Sequence, residues 1–295
     1  MSMKTQSAAA DATTIHPDTT VGTVQLTVSD LERSRAFCER VLGLRATELD
    51  DGGLALGAAG GPLVELRGDS SAPRLDRQAT GLYHLAILVP TRRDLALALM
   101  RIAEARWPLD GASDHLVSEA LYLSDPDGNG IEIYRDRPRE HWRRVDDQVE
   151  MATLALDLRD LLGELSADQT PQPLVPAATR IGHVHLQVSD IPEAEAFYSG
   201  LLGFDVVVRG YPGALFVSAG GYHHHIGLNT WHSAGAPAPA PGSVGLRSFE
   251  VVLPDDAQRQ QLLDRIAHAG LPIETADGGA IVRDPSGNAV LLRSR

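Results

Sequence analysis

The sequence repeats itself at a fixed offset of 160 residues, and this repetition restricts the fold more than any single motif does. VQLTVSDLERSRAFCERVLGL, ending at Leu44, returns as VHLQVSDIPEAEAFYSGLLGF, ending at Phe204, so that Asp30 pairs with Asp190, Phe37 with Phe197 and Gly43 with Gly203. Each copy reads as a short alternating strand, an Asp N-cap, an amphipathic helix and a Gly stop. A second repeat pairs Gly81-Leu-Tyr-His-Leu-Ala86 with Gly245-Leu-Arg-Ser-Phe-Glu250, and its far end pairs Asp125-Pro-Asp-Gly-Asn129 with Asp284-Pro-Ser-Gly-Asn288. Four strand–helix–strands units therefore follow one another, at about 18–67, 80–135, 179–230 and 243–293, and internal repeats of this kind set the architecture. The expected class is α+β.

The units divide the chain into a loose polar tail (1–17), units one and two (18–140), a linker (141–178) and units three and four (179–295). The linker carries a helical pattern over Leu154–Leu165 and a proline-rich spacer over Gln169–Pro176. An Ala/Pro/Gly run from Ala234 to Gly242 joins units three and four.

Ser118–Pro138, SEALYLSDPDGNGIEIYRDRP, predicts strand, turn and strand, because Asp125–Gly130 is dense in turn residues. Residues 130–134 then alternate, so Glu132 faces away from Ile131 and Ile133. If the two isoleucines meet an apolar layer, Glu132 points into whatever the strand curls around, where a carboxylate needs a charged partner or a metal. Otherwise it lies on the wet face of an ordinary hairpin.

A formal charge of −13 argues against nucleic acid or an anionic membrane as partner. No apolar run reaches the roughly 18 residues of a membrane helix. Cys38 is the single cysteine, which excludes an intramolecular disulfide framework and a cysteine-built zinc site; its place in a helical pattern predicts a small buried side chain. The expected compartment is the cytoplasm.

The four units, with Asp125-Pro-Asp-Gly-Asn129 followed by Glu132, resemble the vicinal oxygen chelate superfamily of paired βαβββ modules, over nearly the whole chain after residue 18. Within it, GLYHLAILVP, SEALYLSDPDGNGIEIYRDRP and GGYHHHIGLNTW resemble the extradiol ring-cleaving dioxygenases of the catechol 2,3-dioxygenase kind. The resemblance implies four modules forming two cup-shaped eight-stranded barrels. The same fold carries isomerases and drug-binding proteins, so the chemistry must be read from the site.

In such modules ligands come from the first and last strands and converge at the centre of a cup. The first-strand positions here are Thr23, His84, His183 and Ser248; the last-strand positions are near Glu65, Glu132, the His223–His225 run and Leu291. Units two and three supply His84, His183 and Glu132, a two-His-one-carboxylate set that suits Fe(II), or Mn(II), and leaves open positions for a diol and dioxygen. His185 shares the strand face of His183, which is preferred because it stands seven residues before Asp190. A crossed pairing, two with three and one with four, assembles this set and is the expected one, with units two and three sharing the cup. A tandem pairing would instead collect Glu65, His84 and Glu132 near Gln25, a set resembling glyoxalase-type isomerases.

The resemblance further implies that Tyr122, ten residues before Glu132, hydrogen-bonds a substrate oxygen, with His115 at the same mouth. His224 matches the acid–base histidine, with His223 and His225 expected on the other face of a strand; a one-residue slip would exchange the roles. Tyr134, Trp142, Trp231 and Phe249 are aromatic candidates for the pocket wall. The expected function is cleavage of an aromatic diol with O2 by a homo-oligomeric, metal-dependent extradiol dioxygenase. The alternatives are a glyoxalase-type isomerase or lyase and a metal-free binding protein for a small aromatic.

Overall fold

The computed structural model describes residues 14–146, 148–170 and 172–295. Most of the expected N-terminal tail, residues 1–13, lies outside these. Its end is packed rather than loose: Ile15 is buried, and its N–H donates to Gly203 O at 2.8 Å.

Unit one comprises β1 (Thr20–Val28), α1 (Leu31–Phe37), β2 (Arg45–Glu48), β3 (Leu54–Ala58) and β4 (Gly61–Gly68). Unit two comprises β5 (Gly81–Leu88), α2 (Arg92–Glu104), β6 (Gly111–Asp114), β7 (Ser118–Ser124) and β8 (Gly130–Asp136). The linker holds β9 (Arg144–Val145), β10 (Gln148–Val149), β11 (Leu154–Ala155) and α3 (Leu158–Leu162). Unit three has β12 (Arg180–Gln187), α4 (Ile191–Glu195), β13 (Asp205–Val208), β14 (Ala214–Ser218) and β15 (Ile226–Asn229). Unit four has β16 (Gly245–Leu253), α5 (Asp256–His268), β17 (Glu274–Ala276), β18 (Gly279–Arg283) and β19 (Ala289–Ser294).

Both copies of the first repeat start as capped α-helices, Asp30 accepting from Arg33 N and Asp190 from Glu193 N. Both then widen into a π-helical turn, at Cys38–Leu42 and Ala196–Leu201. The linker helix is shorter than its pattern predicts. Asp157 caps it by accepting from Arg159 N and Asp160 N, and Leu154–Ala155 is drawn out as a strand against Asp114 and Ser113.

Apart from β9 and β10, which pair only with each other in a small separate sheet, the strands form two large curled sheets. One has eight strands in the order β17-β18-β19-β16-β1-β4-β3-β2, from units four and one. The other has nine, β11-β6-β7-β8-β5-β12-β15-β14-β13, from units two and three plus the linker strand, which is why it exceeds the expected eight. Its halves join where β5 and β12 pair antiparallel, as β1 and β16 do in the first sheet.

Alternation sorts the side chains. Leu85, Ile87, Leu121, Leu123, Ile131, Ile133, Val184 and Leu186 face one continuous core with Leu95, Leu99 and Ile102 of α2. Burying such side chains contributes about 1.5–3 kcal/mol each. The opposite, concave face therefore receives His84, Ala86, Ala120, Tyr122, Glu132 and Tyr134.

The two DPxGN turns clasp the units together. Asp125 accepts from Asp127 N and Asn129 N at 2.9 and 2.8 Å, and Asp284 does the same for Ser286 N and Asn288 N. Asp127 then accepts from Ser29 N and Ser29 Oγ at 2.7 and 2.6 Å, binding unit two to unit one. On the other side Ser286 Oγ accepts from Ser189 N at 2.9 Å, binding unit four to unit three.

No helix among the described residues is long and apolar enough to cross a membrane. Cys38 is buried and unpaired, and burial pushes its thiol far up.

Candidate metal centre

Three neighbouring strands carry the central group: His84 on β5, Glu132 on β8 and His183 on β12. Ala86 of β5 is the register partner of Glu132 on one side and of His183 on the other. Its methyl group leaves the space over the strand open, and His84, two residues earlier on the same face, reaches into it. His84 Nε2 and His183 Nε2 stand 3.0 and 3.2 Å from Glu132 Oε2, and one donor atom from each residue falls within 4.8 Å of the others. All three side chains are buried.

Two β-bulges shape this centre. Ile181 and His183 pair with consecutive residues Ile87 and Ala86, which leaves Gly182 as the extra residue. A Cβ there would lie 1.8 Å from the Tyr134 hydroxyl oxygen, so only glycine admits that ring beneath His183. On β5, His84 and Leu82 pair with consecutive His185 and Leu186, which makes Tyr83 the extra residue. The bulge turns Tyr83 toward the site, its ring 5.1 Å from that of His185 and 5.2 Å from that of Trp231.

Burial alone would raise the Glu132 carboxyl, but the His183 and His84 imidazoles hold it well below the usual carboxylate range. Burial brings His183 down to about 4 against the pull of Glu132. Glu132 is thus ionised and His183 neutral, the protonation state a metal requires of such ligands. His84 Nε2 lies beside Glu132 Oε2 without hydrogen-bond alignment, and it has no hydrogen-bond partner among the described residues. A lone pair so placed fits a shared ion better than a hydrogen bond, and an N2O donor set fits a divalent transition metal.

Around the group, Tyr122 is directly opposite Glu132 in the β7–β8 register. Burial raises its phenol well above the ordinary value, and Glu132 adds to the shift. Its hydroxyl is 2.6 Å from His115 Nε2, and His115 Nδ1 is 2.7 Å from Ala152 O. Since a carbonyl only accepts, His115 Nδ1 donates, its Nε2 accepts, and Tyr122 is the donor between them.

The three consecutive histidines do not alternate as strand residues. β15 begins only at Ile226, and after the turn at Gly220–Gly221 residues 222–225 run as a bent, irregular stretch that brings His223 against His224, Nδ1 to Nδ1 at 2.7 Å. His224 lines the cavity with its ring 4.1 Å from that of His183, whereas His225 Nδ1 accepts from Ala219 N behind it. Burial, then the neighbouring imidazoles, holds His224 well below its usual value.

The cavity over the group is about 1380 Å³. Among the aromatic candidates only Trp231 lines it; Tyr134 lies under His183, Trp142 packs on Tyr222 and His223, and Phe249 belongs to the core. Tyr83, Tyr211, Phe216 and His185 complete the wall, and strict alternation could not have supplied Tyr83. Glu65 is in the other sheet, accepting from Gln25 Nε2 at 2.8 Å, and Ser248 Oγ donates to Gln25 Oε1. Gln25 and Ser248 line the same cavity from the other sheet, but their side chains are hydrogen-bonded to each other.

The family model for the glyoxalase/bleomycin resistance protein/dioxygenase superfamily matches residues 20–133 and 180–292. The chain is 46% identical to the catechol-2,3-dioxygenase of Bacillus subtilis (strain 168) over 284 residues, 95% of this chain and 98% of that one. Among solved structures it is similar to a candidate dioxygenase of Bacillus subtilis subsp. subtilis strain 168, with a TM-score of 0.66, 15% identity and coverage of 95% and 86% of the two chains. It is also similar to glyoxalase I of Zea mays, with a TM-score of 0.55, 16% identity and coverage of 93% and 92%. These structural likenesses concern the fold. Two separate stretches of the family pattern, each spanning two of the four units, place the chain in the glyoxalase/bleomycin resistance protein/dioxygenase superfamily.

Proposed function

We propose that the protein is an extradiol ring-cleaving dioxygenase that inserts O2 into a catechol-type aromatic diol, with Fe(II), or Mn(II), held by His84, Glu132 and His183. The observation that carries this reading is the convergence of two imidazoles and one carboxylate at the floor of a large, aromatic-walled cavity. The 46% identity to a catechol-2,3-dioxygenase supports the substrate class. The isomerase alternative needs Glu65 among the ligands, and Glu65 is engaged in the other sheet.

A ferrous ion held by His84, Glu132 and His183 would supply the electron coupling between an aromatic diol and dioxygen. The chain's own groups do the rest. Glu132, itself buried, would balance part of the ion's charge where electrostatic interactions are strong. Tyr122 keeps its proton in the hydrogen bond to His115 Nε2 and offers its oxygen lone pair to a substrate hydroxyl. His224 has a free Nε2 facing the cavity; it takes a diol proton and returns it later in the reaction. Tyr83, Tyr211, Phe216 and Trp231 orient the ring by edge and face contacts.

A cytoplasmic setting suits a chain whose only cysteine is unpaired. Self-association belongs to the same reading, and sedimentation of the loaded protein checks it. Oxygen uptake with catechol, scored with iron content and formation of the yellow ring-cleavage product, tests the function. Metal-loaded protein that turns over a hemithioacetal but consumes no oxygen with a diol would overturn it.

A further inference from the structure

Behind His224 runs a hydrogen-bonded chain that the reaction outlined above does not use. His223 Nε2 is 2.9 Å from Asp136 Oδ1, and His223 Nδ1 is 2.7 Å from His224 Nδ1. An ionised carboxylate only accepts, so the proton in the first contact sits on His223 Nε2. In its neutral form His223 has a lone pair on Nδ1, and the second contact then carries its proton on His224 Nδ1. His224 Nε2 is left as the acceptor; it has no partner among the described residues, and its ring lines the cavity.

The surroundings hold this chain in place. Asp136 follows Glu132 and Tyr134 on the same face of β8, and it also accepts from Tyr222 Oη at 3.1 Å. Tyr222 is tied in turn to the Tyr134 hydroxyl at 2.7 Å. The Trp142 ring lies 5.2 Å from His223, which is fully buried. A wholly buried histidine whose two ring nitrogens are both engaged, one by a carboxylate and one by another imidazole, has little freedom to change tautomer or turn.

We propose that Asp136 and His223 are positioning residues that hold His224 in its Nδ1–H tautomer, with Nε2 presented to the cavity as the acceptor for a substrate hydroxyl. The proposal rests on the dioxygenase reading for the identity of that hydroxyl, but the tautomer itself is independent of any activity.

The test is the 15N spectrum of histidine-labelled full-length protein, recorded metal-free and with Zn(II), with His224→Phe used to assign the signals. The expected result is a single Nδ1–H tautomer for His224. His223→Leu and Asp136→Leu release it to a mixture, and turnover falls by about 10²-fold while bound metal is kept. His223→Gln rescues both readouts relative to His223→Leu, because its amide N–H can donate to Asp136 and its oxygen can accept from His224 Nδ1. A proton on His224 Nε2 in the unsubstituted protein overturns the proposal. So does an unchanged tautomer in both leucine variants, or an equal loss of turnover in His223→Gln and His223→Leu with metal retained. Absence of diol cleavage with the expected tautomer changes would count against the dioxygenase reading and leave the positioning chain standing.

Discussion

Glu132 and His183 lie on strands that do not pair with each other, yet Glu132 Oε2 and His183 Nε2 are 3.2 Å apart because both flank the small side chain of Ala86 on the strand between them. The centre is therefore shared by two units that lie on either side of the linker, and it exists only because unit two pairs with unit three.

The ligand substitutions follow from that relationship. His84→Ala, Glu132→Ala and His183→Ala are each expected to lose bound metal and at least about 10²-fold in activity, beyond the 10–100-fold typical of groups that merely support a ligand. Glu65→Ala, which breaks its bond to Gln25 and its attraction to Arg247 in the other sheet, keeps metal at one ion per chain. Metal analysis of the four variants decides this, and retained metal in His183→Ala would falsify the shared centre.

His224→Phe is expected to keep its metal and to slow turnover by about 10²–10⁴-fold, the range for a general acid–base group. Steady-state kinetics beside metal content separate this from a ligand role. Loss of the ion in His224→Phe would show that His224 belongs to the first coordination sphere.

His225 gives a pH dependence whose sign can be worked out. Burial, then nearby positive charge, lowers it from 6.5 to about 3, while Ala219 N donates to its Nδ1. Between these values the unfolded chain binds the proton and the folded chain does not. Stability from this group is fully present above pH 6.5 and is lost as pH falls toward 3, by up to about 1.4 kcal/mol per pH unit. Denaturant titrations of metal-free protein across this window should show a shallower acid loss in His225→Asn than in the unsubstituted chain; parallel curves would contradict the assignment.

The DPxGN clasps make a stability prediction. Asp127→Ala removes the bonds to Ser29 N and Ser29 Oγ and the ion pair with Arg33, and should cost about 2–3 kcal/mol, since bonds to a charged group exceed neutral ones. Ser286→Ala, at the equivalent place in unit four, removes a neutral acceptor from Ser189 N and should cost about 1 kcal/mol. Urea midpoints rank the two, and an equal effect would mean that the clasps do not couple the units as described.

Much of the site is readable along the strands. The alternation that sends Ile131 and Ile133 to the core also sends Glu132, Tyr134 and Asp136 to the concave face, so Asp136 was accessible to the same reasoning as Glu132. What alternation cannot supply are its interruptions. The bulges at Gly182 and Tyr83 reset the faces locally, and they depend on pairing between strands far apart in sequence. The histidine run reads as strand because of its β-prone end, but Gly220 and Gly221 take positive φ, and the bent stretch after their turn joins His223 to His224. The pairing of units is not written in any one unit, because both repeats would pack equally well in tandem by pattern alone.

The most direct test of the whole account is the stoichiometry of oxygen uptake by anaerobically iron-loaded protein given catechol. The account predicts one dioxygen consumed per catechol, a yellow ring-opened product, and neither signal in His183→Ala. Fully loaded protein that consumes no oxygen with any catechol-type diol, or His183→Ala that consumes it at the rate of the unsubstituted chain, would contradict it.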